Sequence, residues 1–309
     1  MLRINGLIKR YGKFTAVDSL ELHVPQGEIF GFVGPNGAGK TTTMKIVCGL
    51  MAADAGEVHV DGIDAIKNGR KAKEVIGYMP DFFGVYDDLK VTEYLDFYAS
   101  IYNINANDRK KLCDDLLELV DLNDKREAYV DSLSRGMKQR LCLARSLVHN
   151  PKILVLDEPA SGMDPRARVE MKEILRTLKD LGKTILISSH ILPELAELCT
   201  SVGIIDRGKI VISGTVSEIM QQVYSKKFIK IRLAGKMKEA QKIMLEFPPV
   251  TSTREGEGFI EAGFEGNDEE MSMLLKELVM RDIPVISFAQ QDGNLEDVFM
   301  RVTKGEEVK

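Results

Sequence analysis

Residues 28–50 read EIFGFVGPNGAGKTTTMKIVCGL, and their pattern changes twice within a few positions. Ile29–Val33 is a short apolar run that reads as a buried strand, and a helix is expected to begin near Lys40. Between them stand Gly34, Pro35, Asn36, Gly37, Ala38 and Gly39, with Lys40, Thr41 and Thr42 following. This is the G-x-x-x-x-G-K-[ST] pattern of a phosphate-binding loop, in the strand–loop–helix setting it requires. Glycine is needed at Gly34, Gly37 and Gly39 because the loop must wrap its backbone N–H groups around phosphate oxygens with no Cβ in the way. Lys40 is then expected to reach the β- and γ-phosphates, Thr41 to offer its hydroxyl to Mg²⁺, and Thr42 to add a phosphate contact. The helix N-terminus adds a partial positive charge. A turn without a ligand would leave Gly-Lys-Thr at this offset unexplained.

Two further apolar runs end in residues that carry chemistry. KILVLDEP places a strand at 153–156 and then Asp157 and Glu158, so two carboxylates emerge at the strand's C-terminal end, where open α/β sheets bind ligands. Asp157 is expected to hold Mg²⁺ through its water shell, and Glu158 to orient or deprotonate the attacking water. KTILISSH gives another short strand at 184–187, ending in Ser188, Ser189 and His190. In LSRGMKQR, residues 133–140, Ser134 is suited to cap a helix and Gly136 to let backbone N–H groups approach an anion. A second anion-ready helix start raises the question of whose phosphate it serves.

Composition narrows the setting. The 309 residues are 44% hydrophobic and 29% charged, which fits a globular chain long enough for two domains and excludes a disordered or fibrous one. No apolar run approaches the roughly 18 residues that span a bilayer, and MLRINGLIKRYGK lacks the apolar core of a secretion signal, so a cytoplasmic location is expected. A net charge of -5 argues against a nucleic-acid partner held by electrostatics. Cys48, Cys113, Cys142 and Cys199 are widely spaced without a C-x-x-C pair, so reduced, buried thiols are expected rather than zinc or disulfides.

From residue 1 to about 222 the order and spacing of these motifs resemble the nucleotide-binding subunit of ATP-binding-cassette (ABC) transporters. In that family LSRGMKQR corresponds to the signature motif L-S-G-G-Q, with Arg135 and Met137 in place of its first Gly and its Gln. The resemblance implies that Ser134 and Gly136 bind the γ-phosphate of ATP held by another subunit, in a homodimer packed head to tail around two nucleotides. It also implies that Tyr11 stacks on adenine with Val17 completing the platform, and that His190 contacts the γ-phosphate. Arg135 and Asp164, in ASGMDP, would then lie at the dimer interface. The cofactors implied are ATP and Mg²⁺, and the partner is a separate integral membrane permease, with the chain peripheral on the cytoplasmic face of the membrane.

One departure from the family matters most for the chemistry. Its usual glutamine falls on Asp81 in IGYMPDFFGVYDDL, which is shorter and anionic. Asp81 can still ligate Mg²⁺, but it adds a third negative charge to Asp157 and Glu158, and like charges at short range demand a cation.

The fold expected is an α/β P-loop NTPase cassette at 1–222 with a RecA-like core, an antiparallel β subdomain and a helical subdomain at about 82–150. Helical spacing of Tyr94, Tyr98, Ile101 and Tyr102, and then of Leu112, Leu116, Leu119 and Val120, carries the helical part. Phe82, Phe83, Val85 and Tyr86 either pack that subdomain or line a groove for a helix of the membrane partner. Segments in 226–309 read as β-α-β-β-α-β plus a final helix in NLEDVFMRVTKG, a small α+β, ferredoxin-like domain. LEDVFMRVT resembles the C-terminal extension of bacterial exporter cassettes, and a dimerisation role is favoured over a sensor. The runner-up function is a soluble ABC ATPase of DNA repair or translation, which would be expected to carry long coiled coils or two fused cassettes.

Overall fold

A strand can be buried along its whole length only in a sheet covered on both faces, and Ile29–Val33 and Thr184–Ser189 are buried at every position. A computed structural model describes residues 1–82, 84, 88–189, 191–223, 227–291 and 299. Phe83, Val85, Tyr86, His190 and, apart from Phe299, the expected final helix therefore lie outside the described residues.

The chain begins with β1 (Leu2–Tyr11), β2 (Phe14–Val24), β3 (Ile29–Val33), α1 (Lys40–Val47), β4 (Ala55–Val60), β5 (Ile63–Asp64), α2 (Gly69–Val75) and β6 (Ile76–Met79). It continues through α3 (Val91–Ile101), α4 (Ala106–Leu119), α5 (Arg135–Leu147), β7 (Ile153–Asp157), α6 (Pro165–Asp180), β8 (Thr184–Ser189) and α7 (Leu192–Leu198). Then come β9 (Ser201–Asp206), β10 (Lys209–Thr215), α8 (Val216–Val223), β11 (Lys227–Leu233), α9 (Met237–Glu246), β12 (Val250–Gly256), β13 (Phe259–Phe264), α10 (Asp268–Met280) and β14 (Val285–Gln291). Two compact units result, Met1–Val216 and Ser217–Lys309.

In the first unit a six-stranded sheet has the order β10-β9-β3-β8-β7-β6, parallel except for β10 at its edge. An antiparallel sheet, β2-β1-β4-β5, shares a core with it that includes Leu20, Phe30, Phe32, Met44 and Val58. Helices α3, α4 and α5 pack on one another. These are the expected RecA-like core, antiparallel subdomain and helical subdomain.

The buried face of α3 differs from the expected stripe. Val91, Tyr94, Leu95 and Ala99 are buried, whereas Ile101 and Tyr102 are exposed. The packed face lies nearer the helix N-terminus, and Tyr102 instead stacks on the His149 ring with centroids 4.1 Å apart.

The second unit is one four-stranded antiparallel sheet, β12-β13-β11-β14, with α9 and α10 supplying Ala240, Met244, Leu274 and Leu278 to its core. Counted within the unit, its strand order is 2-3-1-4, the split β-α-β arrangement expected of a ferredoxin-like domain. Its second helix starts on a reciprocal capping box. Asn267 Oδ1 accepts from Glu270 N at 2.9 Å, and Glu270 Oε2 accepts from Asn267 N at 2.8 Å.

Candidate active site

Pairing register gathers the motif residues at one sheet edge. Strand β8 lies between β3 and β7, with Val33 opposite Ser189 and Asp157 opposite Ser188, while Met79 of β6 is opposite Leu156. The phosphate loop after Val33, the two acids at 157 and 158, and Asp81 just past β6 therefore leave the same C-terminal edge of the parallel sheet, the edge at which such sheets bind ligands.

Backbone conformation and close packing fix the loop. Gly37 and Gly39 have φ of +82° and +108°, and a Cβ on Gly39 would fall 2.5 Å from the Ala16 carbonyl oxygen. Only glycine fits there. Behind the loop, Gly208 N donates to Ala38 O at 3.0 Å and Asp18 N donates to Gly208 O at 2.9 Å, so the β9–β10 turn and β2 hold it in place. Helix α1 starts from Gly39, which has no side chain to occupy its first-turn amides.

Lys40 is 7% exposed, and its Nζ donates to Gly34 O at 2.6 Å and to Pro35 O at 3.2 Å. Its ammonium is thus held over the loop by the loop's own carbonyls. Burial pulls the Lys40 pKa below the ordinary lysine range, while the charges of Glu158 and Asp157 oppose that shift. Asn36, Gly37 and Thr41 are exposed, Pro35 and Thr42 half-buried, and Ala38 buried.

Asp157 is 1% exposed. Its Oδ1 accepts from Ser188 Oγ at 2.6 Å, and its Oδ2 is buried without a hydrogen-bond partner among the described residues. A buried carboxylate oxygen of this kind fits a divalent cation that keeps several waters and takes few protein ligands. The described residues hold no cluster of three or more His, Cys, Asp or Glu that could cage a metal. Glu158 sits at φ +52°, and its N–H donates to Ser188 Oγ at 3.0 Å and to Ser188 O at 3.2 Å. A non-glycine residue held in that region marks a constrained side-chain direction. Ser188 thus orients both acids at once. The sequence reading passed over it as a strand end, although a serine closing an otherwise apolar buried strand was the available signal.

Asp81 is exposed. Burial first, then the charges of Asp157, Cys48 and Asp81, push the Tyr78 hydroxyl upward, so Asp157 and Asp81 act on one phenol.

Tyr11 is 48% exposed, with its hydroxyl 3.0 Å from Met51 Sδ, and is available to stack on a base. Val17 differs from expectation. It is wholly buried in the core and offers no side-chain surface to complete an adenine platform.

Helix α5 begins as expected, with Ser134 as its cap accepting from Met137 N at 3.3 Å. Gly136 has a different reason to be glycine. It is buried against α6, where a Cβ would lie 3.1 Å from Ala167 Cβ, so it admits close helix packing. Asp164 is an exposed residue capping α6, its Oδ1 accepting from Ala167 N at 3.0 Å. That backbone hydrogen bond holds its carboxyl below the ordinary range. Arg140, 5% exposed, ties α5 to Asp121 at 3.1 Å and to Glu170 of α6 at 3.5 Å.

A glycine loop with its lysine, facing two acids across one intervening strand, places the fold among the P-loop nucleoside triphosphatases. Residues 17–161 match the family model described as ABC transporter, and residues 214–303 match that of the ATP-binding protein DrrA1-3-like, C-terminal domain. The linearmycin resistance ATP-binding protein LnrL of Bacillus subtilis is 32% identical over 306 residues, 98% of each chain. A Nod factor export ATP-binding protein I from Burkholderia thailandensis is 36% identical over 295 residues, covering 96% of this chain and 94% of its own. A solved ATP-binding subunit of an ABC transporter superposes with TM-score 0.65 at 27% identity, covering 72% of this chain and 92% of that one. The chain belongs to the ATP-binding subunits of ABC transporters, which are ATPases coupled to transport.

Proposed function

We propose that this chain drives export by hydrolysing Mg-ATP as a head-to-tail homodimer on a separate membrane permease, from the cytoplasmic face of the membrane. The observation that carries the reading is the convergence of Lys40, Asp157 and Glu158 at one sheet edge, with Asp157 Oδ2 buried and available to a cation. Lys40 and the loop amides hold the β- and γ-phosphates, and Tyr11 stacks on the base. Thr41, Asp157 and Asp81 serve Mg²⁺, which supplies charge neutralisation for the transferring phosphoryl group. Glu158 orients and deprotonates the attacking water, and His190 contacts the γ-phosphate. Ser134, Arg135 and Asp164, all exposed, face the other subunit, with Gly136 packed behind them on α6, so that the exposed start of α5 caps the partner's phosphate.

A separate permease is supported by two features. No helix among the described residues is long and apolar enough to cross a membrane. Phe82, beside Asp81, is 90% exposed, and a cleft of about 250 Å³ is lined by Leu50, Tyr78, Tyr98, Tyr102 and Arg145. An aromatic cleft with an Arg suits an amphipathic helix of the permease. Export is supported by the relatives, whose names concern linearmycin resistance and Nod factor export.

The test is size-exclusion chromatography of Glu158→Gln with and without Mg-ATP, beside ATPase assays of the wild type. The expected result is an ATP-dependent shift from monomer to dimer that Ser134→Arg abolishes. ATP binding without a dimer would remove the head-to-tail arrangement from the reading.

A further inference from the structure

Arg135 occupies the first position of α5, and it lies over a segment that belongs to its own subunit. The guanidinium sits on the Gly162 backbone. A Cβ at Gly162 would fall 2.5 Å from Arg135 Nη1 and 2.7 Å from Nε, and Gly162 itself has φ +70°. Two more contacts bind the same helix to the same segment. Gln139 Nε2 donates to Ser161 O at 2.9 Å, and Gly136 packs on Ala167 and Met163. The segment is wound tightly back to Glu158, because Ser161 N donates to Glu158 O at 3.0 Å and Met163 N to Ala160 O at 3.3 Å. The far end is held by Ser188 at the Glu158 amide. Glu158 is thus fixed between a rigid strand on one side and α5 on the other.

We infer that Arg135 is a positioning residue for hydrolysis, its guanidinium on Gly162 setting the Glu158–Asp164 turns and hence the direction of the Glu158 carboxylate. The inference rests on the reading of Glu158 as the base and adds a route from α5 to it within one subunit. A planar, weakly hydrated guanidinium can lie flat on a peptide face, whereas a lysine ammonium cannot, so charge alone does not substitute. Gly162 is the complementary element. Any side chain there displaces Arg135 and strains the backbone.

The experiment is steady-state Mg-ATP hydrolysis by the full chain carrying Arg135→Ala, Arg135→Lys or Gly162→Ala, with Glu158→Gln as control. Arg135 is exposed, so Arg135→Ala leaves no buried void. Loss of an interaction that only orients the base lowers kcat while leaving KM in place. The expected result for Arg135→Ala and Gly162→Ala is kcat down about tenfold with KM within about twofold, and for Arg135→Lys no more than partial recovery. A raised KM with unchanged kcat in Arg135→Ala would overturn the inference and assign Arg135 to phosphate binding. Wild-type kinetics in Arg135→Ala would overturn it outright. If Glu158→Gln kept its turnover, the assignment of Glu158 as base would fall and the inference with it, whereas loss of turnover in that control isolates Arg135 as the point at issue.

Discussion

Two helix starts in this chain were expected from the sequence to meet anions, and they are built differently. Helix α1 begins from a glycine, follows a loop whose amides are unshielded by side chains, and carries a buried ammonium at its first position. Helix α5 begins from a serine that already caps one of its own amides, and its first residue is an exposed arginine. The first has its acids Asp157 and Glu158 within electrostatic reach of Lys40, so it is a whole site. The second has no such acids of its own assigned to it and is tied backwards, through Arg135, Gly136, Gln139 and Arg140, to α6 and the segment before it. On the proposed function, the same local physics serves a complete site in one case and half of one in the other.

The comparison can be broken most directly at Lys40. Lys40→Ala removes the cation that the loop carbonyls hold at its centre, and the expected loss is about two to three orders of magnitude in kcat, the scale for deleting a preorganised charge-stabilising group. Phosphate release under saturating Mg-ATP measures it, and a loss below tenfold would mean that the α1 site is not where the chemistry happens. Next is Ser188, whose hydroxyl bridges Asp157 Oδ1 and the Glu158 amide. Ser188→Ala strands the buried Asp157 Oδ1 at about 1–3 kcal/mol and leaves the Glu158 amide only its bond to Ser188 O, so a kcat lower by roughly tenfold and a higher Mg²⁺ requirement are expected. An unchanged Mg²⁺ titration would show that the bridge is structural only. The smallest effect is expected at Asp81, which is exposed and therefore weakly coupled. Asp81→Gln should retain ATPase activity, with a Mg²⁺ midpoint shifted about two- to threefold, because one anion near the cation is lost. Superimposable titrations would take Asp81 out of the metal site.

Much of the cassette was legible because its signals are local. A five-residue apolar run, glycines at fixed offsets and a following lysine define β3, the loop and α1 without reference to anything else, and β7 and β8 are read in the same way. The β-α-β-β-α-β order after residue 226 was legible from alternating segments and turn residues. What misled was amphipathic detail. Periodicity gives the repeat of a helix but not which edge of the stripe meets a neighbour: of the residues at helical spacing in α3, Tyr94 is buried, whereas Ile101 and Tyr102 are exposed. Val17 failed as a base platform for a similar reason. A single apolar residue in a strand gives no sign of the face to which its side chain turns.

By itself the sequence determined the family and the segments proposed to carry its chemistry: the phosphate-loop pattern, the acids at 157 and 158 and the helix start at Ser134, each encoded in a few contiguous residues. Tertiary structure alone decided how they work together. Register between β3, β8 and β7 brought residues 33, 188 and 157 to one edge and made Ser188 the shared anchor of both acids, while packing of α5 on the segment before α6 laid Arg135 across Gly162. Those relations join positions far apart in the chain, and nothing local encodes them, because they arise only when parallel strands align their ends and a helix packs closely enough to need glycine on both sides of the contact.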